Sequence, residues 1–175
     1  MSLDPLFNEF LSLLVRRKVR FLIVGAHALA AHGRPRATDD FDVWVEPTAV
    51  NARRVVDALA EFGYPAYRKH VEEFSSLEKM THLGVPPFRI DVMTSISGVP
   101  SFTKAWTNRV SATIDGVGVQ FLGYDDFVTN KRASGRSKDL LDLSLLAEAE
   151  NAAARTPARP GKRSVARKKT SRKKR

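Results

Sequence analysis

The chain has 175 residues, 43% of them hydrophobic and 9% aromatic, which suits one domain with a proper core and is too short for two. It contains no cysteine, which excludes disulfides and thiolate metal sites and fits a reducing cytoplasm. The net charge of +10 is unevenly spread: residues 151–175 carry 11 Lys or Arg and no acid, leaving 18 bases against 19 acids before them.

Asp4 followed by Pro5 reads as an N-cap with proline at the first helical position. Leu6, Phe7, Phe10, Leu11, Leu13 and Leu14 then recur at helical spacing, predicting an amphipathic helix over 5–17. VRFLIVG (19–25) is a continuous β-rich run ending in glycine, the pattern of a buried central strand. AHALAAHG adds about two helical turns, stopped by Gly33. The stretch RRKVRFLIVGAHALAA superficially has a secretory signal's layout. It starts sixteen residues in, behind a good helix, and its apolar run falls short of the roughly 20 residues a membrane span needs. The expectation is a soluble, cytoplasmic protein with no membrane association.

GRPRATDD reads as a loop and DFDVWVEP as the next strand, closed by Pro47. Thr48 caps a helix with Val55, Val56, Leu59 and Phe62 inward and Gly63 as its stop. Extended segments are predicted near 73–77 and 80–84, and a strand over 87–94 (PFRIDVMT). Asp115-Gly116 marks a β-hairpin within 109–123. Two helices follow, over 125–134 and 137–150. The remainder, 151–175, has two prolines, no aromatic residue and repeated Lys/Arg, and is expected to be a disordered tail after a single domain spanning 1–150.

The chemistry concentrates in DFDVWV. Residues i and i+2 of a strand share a face, so Asp40 and Asp42 project together, about 6–7 Å apart, while Phe41 and Val43 face the other way. Two ionised carboxylates that close repel and need a cation or strong donors; alternatively, they are acids on a strand edge that faces water. Asp91, in FRIDVM, opposes the apolar Ile90 and Val92 in the same manner. If the two strands are neighbours, three carboxylates converge, an oxygen set suited to Mg²⁺. Asp39 faces away or lies in the loop. Gly25, where a buried strand meets a helix, is a place where backbone N–H groups can approach a phosphate.

These residues, VGAHALAAHGRPRATDDFDVWV followed by RIDVMT, resemble the nucleotidyltransferases of the DNA polymerase β-like superfamily, in particular the small bacterial branch with abortive-infection and toxin–antitoxin transferases. The pattern is Gly-Gly or Gly-Ser, about ten residues, D-x-D on a strand, then a third Asp on a later strand. NKRASGRSKDLLDLSLL matches the Lys, Gly-Arg and Lys-Asp-x-x-Asp-Leu of that branch, and the likeness spans about 18–147. It implies an α/β (α+β) nucleotidyltransferase fold, a twisted mixed sheet flanked by helices. Asp40, Asp42 and Asp91 would bind two Mg²⁺ ions, with Asp91 activating the acceptor hydroxyl. Gly25 and Ala26 would cradle the phosphates of a nucleoside triphosphate, assisted by Arg36, Lys131, Arg136 and Lys138. Ala26 replaces the usual second Gly or Ser and supplies no hydroxyl.

For these side chains a structural role is the competing reading. Lys138 and Asp142 are an i, i+4 pair, and Asp139 is placed to cap a helix or orient Arg136. His27 and His32 read as core or helix-surface histidines, while Trp44 and Trp106 could stack a base, with packing the preferred reading of both. The implied reaction is transfer of a nucleoside monophosphate to RNA (tRNA included), a protein hydroxyl or a small molecule. The tail would supply electrostatic RNA binding, and the branch resemblance implies a toxin with a cognate antitoxin. The alternatives are a non-catalytic nucleic-acid-binding protein with a degenerate nucleotide pocket, and an antitoxin-like or structural partner.

Overall fold

A computed structural model describes the backbone of residues 3–155 and the side chains of residues 3–148. The basic segment from residue 156 onward, expected to be disordered, lies outside the described residues. The first helix, α1 (Pro5–Arg16), starts as its sequence dictates: the Asp4 carboxylate accepts from the Leu6 amide at 2.9 Å, with Pro5 at the first position. It buries Phe7, Phe10, Leu11, Leu13 and Leu14.

Six strands form one mixed sheet: β1 (Phe21–Ile23), β2 (Asp40–Val45), β3 (Met80–Leu83), β4 (Arg89–Met93), β5 (Val110–Ile114) and β6 (Val117–Phe121), in the order β3-β4-β2-β1-β6-β5. The pairs β1–β6 and β2–β4 are parallel, and the others are antiparallel. The run at 19–25 yields a strand of only three residues, yet a central one, buried throughout.

Helix α2 (Gly25–Ala31) follows directly, and α3 (Ala49–Glu61) is capped by Thr48, whose hydroxyl accepts from the Asn51 amide. The hairpin β5–β6 turns at Asp115 (φ 46°) and Gly116 (φ 84°), both in the left-handed region that the tight two-residue turn requires.

One expectation is corrected. The residues near 73–77 are not extended: a 3-10 turn covers Pro65–Lys69 and α4 covers Val71–Ser75. Tyr67, Val71 and Phe74 recur at spacings of four and three, a helical period, and Phe74 is buried against the Tyr67 ring. The extended segment expected at 80–84 is β3. A further short helix, α5 (Phe102–Thr107), is capped by Ser101 and was not among the predicted elements.

Helices α6 (Tyr124–Ser134) and α7 (Ser137–Arg155) close the chain, separated by Gly135 in the left-handed conformation at φ 62°. Helix α7 runs five residues past the boundary expected at 150, through an Ala-rich stretch of high helix propensity. Among the described residues no helix is long and apolar enough to cross a membrane.

The two faces of the sheet differ. Phe41, Val43 and Val45 of β2 lie on the face with Phe21 and Ile23 of β1 and Ile90 and Val92 of β4, all buried. Phe7 of α1 stacks on Phe41 at 5.2 Å, which fixes this side as the hydrophobic interior. By the two-residue period, β2 must turn Asp40, Asp42 and Trp44 to the opposite side.

Candidate active site

Strand register converts this alternation into three rows across the second face. Asp40 pairs with Arg89; Asp42 with Asp91, and Asp91 with His82; Trp44 with Met93, and Met93 with Met80. Paired residues on adjacent strands share a face, so β2, β4 and β3 together form a floor. The three acids read from the sequence are therefore brought together. Asp39 is exposed in the loop and stays out of the group.

The floor lies in a cavity of about 770 Å³ whose walls include Gly25, Ala26, Arg36, Lys131, Arg136 and Lys138. That volume is in the range of pockets that enclose small-molecule ligands.

Two residues that the sequence pattern did not single out hold two of the acids. Arg89 Nη2 donates to Asp40 Oδ2 at 2.8 Å, and its Nε lies 3.1 Å from Asp91 Oδ1 without hydrogen-bond geometry. His82 Nδ1 is 2.8 Å from the same Asp91 oxygen. The signal for Arg89 was present, since it sits two residues before Asp91 and shares its face. His82 needed the antiparallel register of β3, which no local pattern supplies.

Asp42 is left without an ion-pair partner among the described residues. Burial, then the charges of Asp91 and Asp40, push its carboxyl up to about 6, against the opposing pull of Lys138 and Lys131. Gly25 explains part of this setting. It sits at φ 61°, and a Cβ there would lie 2.0 Å from Asp42 Oδ2, so only glycine lets the carboxylate lie against the start of α2.

The cationic wall divides. Lys131 is buried and its Nζ lies 2.7 Å from both Asp139 Oδ1 and Asp142 Oδ2. Arg36 Nε donates to Asp142 Oδ1 at 2.6 Å, and Arg136 Nε to Asp139 Oδ2 at 2.7 Å. Asp139 thus orients Arg136, as one of the two structural readings has it. Asp142 does not pair with Lys138, because Arg36 and Lys131 occupy it. Lys138 is exposed, lines the cavity and makes no ion pair among the described residues.

The remaining candidates pack. The His27 ring lies 5.0 Å from that of Phe41, and His32 Nε2 is 3.0 Å from the Leu122 carbonyl oxygen. Trp106 receives the guanidinium groups of Arg20 and Arg109 on its ring, at 4.9 and 4.5 Å.

The donor set can be matched to a metal. Among the described residues no three acidic or histidine side chains form a ready-made metal cage, and Arg89 and His82 engage two of the three acids. The chemistry nevertheless fits a hard divalent cation. All three donors are carboxylates on adjacent strands, and Asp42, raised by burial first and by the charges of Asp91 and Asp40 second, is the kind of acid such an ion stabilises in its charged form.

A mixed sheet with acids at i and i+2 on one strand, and a third across a parallel neighbour, places the molecule among proteins of the nucleotidyltransferase fold. The chain belongs to the family described as "Nucleotidyltransferase of unknown function (DUF6036)", whose profile matches residues 2–148. Its structure is similar to that of the antibiotic-resistance factor ANT(2'')-Ia, with a TM-score of 0.52 and 13% identity over 85% of this chain and 84% of that one. At that identity the likeness concerns the fold.

Two further structures are similar at lower scores. A putative nucleotidyltransferase from Thermotoga maritima has a TM-score of 0.48 and 13% identity, over 85% of this chain and 88% of that one. An antigenic nucleotidyltransferase-like protein from Paracoccidioides brasiliensis has a TM-score of 0.49 and 14% identity, over 84% and 76%. No curated protein matches the chain significantly.

Proposed function

We propose that this protein transfers a nucleoside monophosphate from a nucleoside triphosphate to an acceptor hydroxyl in a Mg²⁺-dependent reaction. The observation that carries the reading is the register Asp42–Asp91 with Asp40 one step along the same face, flooring a cavity with a cationic wall. Asp40, Asp42 and Asp91 hold the metal, which when bound screens phosphate charge and orients the attacking and leaving oxygens. Lys138, Arg136 and Arg36 attract the triphosphate to the side where α2 begins, with Gly25 and Ala26 beside it. Lys131 acts through the two buried aspartates that position this wall.

The acceptor oxygen forms a bond to the α-phosphorus as the bond to the bridging oxygen breaks, and pyrophosphate departs. The acceptor's proton goes to Asp91. Little covalent chemistry is asked of the side chains, whose work is positioning and charge compensation.

RNA, tRNA included, is the acceptor class this reading favours, because of the 11 Lys and Arg between 151 and 175. The branch resemblance adds a toxin role in the cytoplasm with a cognate antitoxin as partner. The test is incubation with each α-labelled nucleoside triphosphate, Mg²⁺ and total RNA or lysate. Label should appear on a macromolecule or small acceptor and vanish with Asp42→Asn. Absence of both transfer and Mg²⁺-dependent nucleotide binding overturns the proposal.

A further inference from the structure

Arg89 differs from the other arginines of the cavity in how it holds its acids. Arg36 places two N–H donors on one carboxylate, Asp142, at 2.6 and 3.3 Å, and Arg136 does the same on Asp139, at 2.7 and 3.5 Å. That is the two-pronged geometry in which guanidinium and carboxylate match best. Arg89 instead straddles two carboxylates. It makes one hydrogen bond, from Nη2 to Asp40 Oδ2 at 2.8 Å, while its Nε, 3.1 Å from Asp91 Oδ1, is buried with no hydrogen-bond acceptor.

Strand register explains this arrangement better than side-chain fit does. Asp40 pairs with Arg89 across the parallel strands β2 and β4, and Asp91 lies two residues beyond Arg89 on the same face. The guanidinium is thereby held between two of the three proposed metal ligands. Its side chain lines the cavity and is 32% exposed, so it is free to swing into that space.

The other contacts of these acids suit a partner that can leave. Asp91 keeps His82 Nδ1 at 2.8 Å whatever Arg89 does. Asp40 has Arg89 as its sole ion-pair partner among the described residues. Moving one side chain therefore frees oxygens on two adjacent strands without unmaking a network. Lys131, Arg136 and Arg36, by contrast, are interlocked through Asp139 and Asp142. A guanidinium and a divalent ion drawing on the same two carboxylates repel, so each weakens the binding of the other. A phosphate offers the displaced guanidinium a new partner.

We infer that Arg89 is a positioning residue that competes with the divalent ion for Asp40 and Asp91 and, once displaced, brings its charge to the phosphates of the nucleotide. The inference rests on the metal-dependent reaction proposed above. It makes metal and triphosphate binding mutually reinforcing, because Arg89 opposes the ion alone and assists the nucleotide that arrives with it.

The experiment measures Mn²⁺ binding to the full chain from the electron paramagnetic resonance of the free ion, with Mg²⁺ as competitor and no nucleotide. Arg89→Gln removes the charge and keeps a hydrogen-bond donor; Arg89→Lys keeps the charge. Arg89→Gln should bind Mn²⁺ about tenfold more tightly than the wild type, the scale on which a nearby charge shifts a carboxylate's affinity for a proton. Arg89→Lys should stay close to the wild type. With Mg²⁺ in excess, Arg89→Gln should bind nucleoside triphosphate about three- to tenfold more weakly, the range expected for one lost phosphate contact. A second readout leaves the site intact. The Arg89 Nε ¹⁵N–¹H resonance, assigned by its loss in Arg89→Lys, should shift when Mg²⁺ is added to the wild type.

Opposite signs for metal and nucleotide are what a merely structural arginine does not produce. If Arg89→Gln binds Mn²⁺ no more tightly than the wild type, the inference is wrong and the proposed function stands. A wild-type Arg89 resonance that ignores saturating Mg²⁺ has the same meaning, and it decides the matter if Arg89→Gln fails to fold. Unchanged nucleotide affinity in Arg89→Gln overturns the move to phosphate. If the wild type binds Mn²⁺ but no nucleotide, the proposed function and the move to phosphate fall, and the Mn²⁺ affinities still decide the competition. If the wild type and Arg89→Gln both bind no Mn²⁺, both readings fall together.

Discussion

Two clusters of acids differ in how they are compensated: Asp40, Asp42 and Asp91 line the cavity, and Asp139 and Asp142 pair with cations of its wall. On the helical side, Asp139 and Asp142 are fully buried and share three cations, Lys131, Arg136 and Arg36, all within 2.7 Å. On the sheet side, Asp40 and Asp91 share the guanidinium of Arg89, Asp91 also has the ring of His82, and Asp42 has neither. The first cluster is complete in itself. The second holds an excess of negative charge that the fold tolerates but does not neutralise. Completeness is what a structural ion network needs, since a buried charge left single is expensive. An excess aimed into a cavity is what a cation or a cationic ligand completes.

The comparison is tested most strongly at Asp42. Asp42→Asn should reduce nucleotidyl transfer by a hundred- to a thousandfold, the scale of removing one charge-stabilising group from a reacting centre. Its melting temperature should equal or exceed that of the wild type, because the substitution relieves repulsion with Asp91 and Asp40. A clear loss of thermal stability would place Asp42 among structural acids and erase the contrast.

Lys131→Met addresses the other cluster and should destabilise by about 3–5 kcal/mol in urea unfolding at pH 7, since it uncovers two buried carboxylates. Burial alone would raise the Asp139 carboxyl, but hydrogen bonds from Arg136, Lys131 and Ser134 outweigh it and hold it well below the usual range. A depressed folded-state value means the stabilisation is present above the ordinary 3.8 and is lost as pH falls toward the folded value. The cost of Lys131→Met should therefore shrink below about pH 4. A cost that is flat with pH would show that packing, not charge, sets it.

How much of this contrast could be read beforehand differs between the clusters. Asp40, Asp42 and their outward face followed from the two-residue period and the apolar Phe41 and Val43, which are local. Their meeting with Asp91 required β2 and β4 to be neighbours, which the resemblance implied through its third acid and no spacing states; that the two are parallel came from the register. Lys131, Arg136 and Lys138 were found as charges near one loop, but their partners were not legible. The pairing of Asp142 with Arg36 joins residues 106 positions apart. The helical turn at Val71–Ser75 was missed because its apolar period is short and follows a proline and two tyrosines that also suit extended chain. Arg89 and Trp44 were visible as letters, but only the register gave them their places in the floor.

His27 tests the boundary between site and core at intermediate scale. Its ring lies among Phe7 and Phe41, and burial, then the charge of Arg36, lowers it from 6.5 to about 4. The unfolded chain binds a proton at 6.5 and the folded chain does not, so stability falls as pH drops from 6.5 toward 4. His27→Leu should remove that slope. The stability of wild type relative to the variant should decline by roughly 1–3 kcal/mol across that window, read from melting temperatures at matched pH. An unchanged difference between pH 7 and pH 4.5 would mean the ring has a partner in the folded state.

The smallest effect belongs to Lys138, the cation that stands between the clusters and joins neither. It is exposed, with no ion pair among the described residues, so Lys138→Ala should change stability by no more than about 0.5 kcal/mol. Its charge nevertheless reaches Asp42, where it opposes the rise in the carboxyl's pKa. Losing it should weaken tripolyphosphate and nucleotide binding equally, by about two- to fivefold, and flatten their dependence on salt. If Lys138→Ala instead weakens the nucleotide and leaves tripolyphosphate binding unchanged, Lys138 does not act on the phosphates.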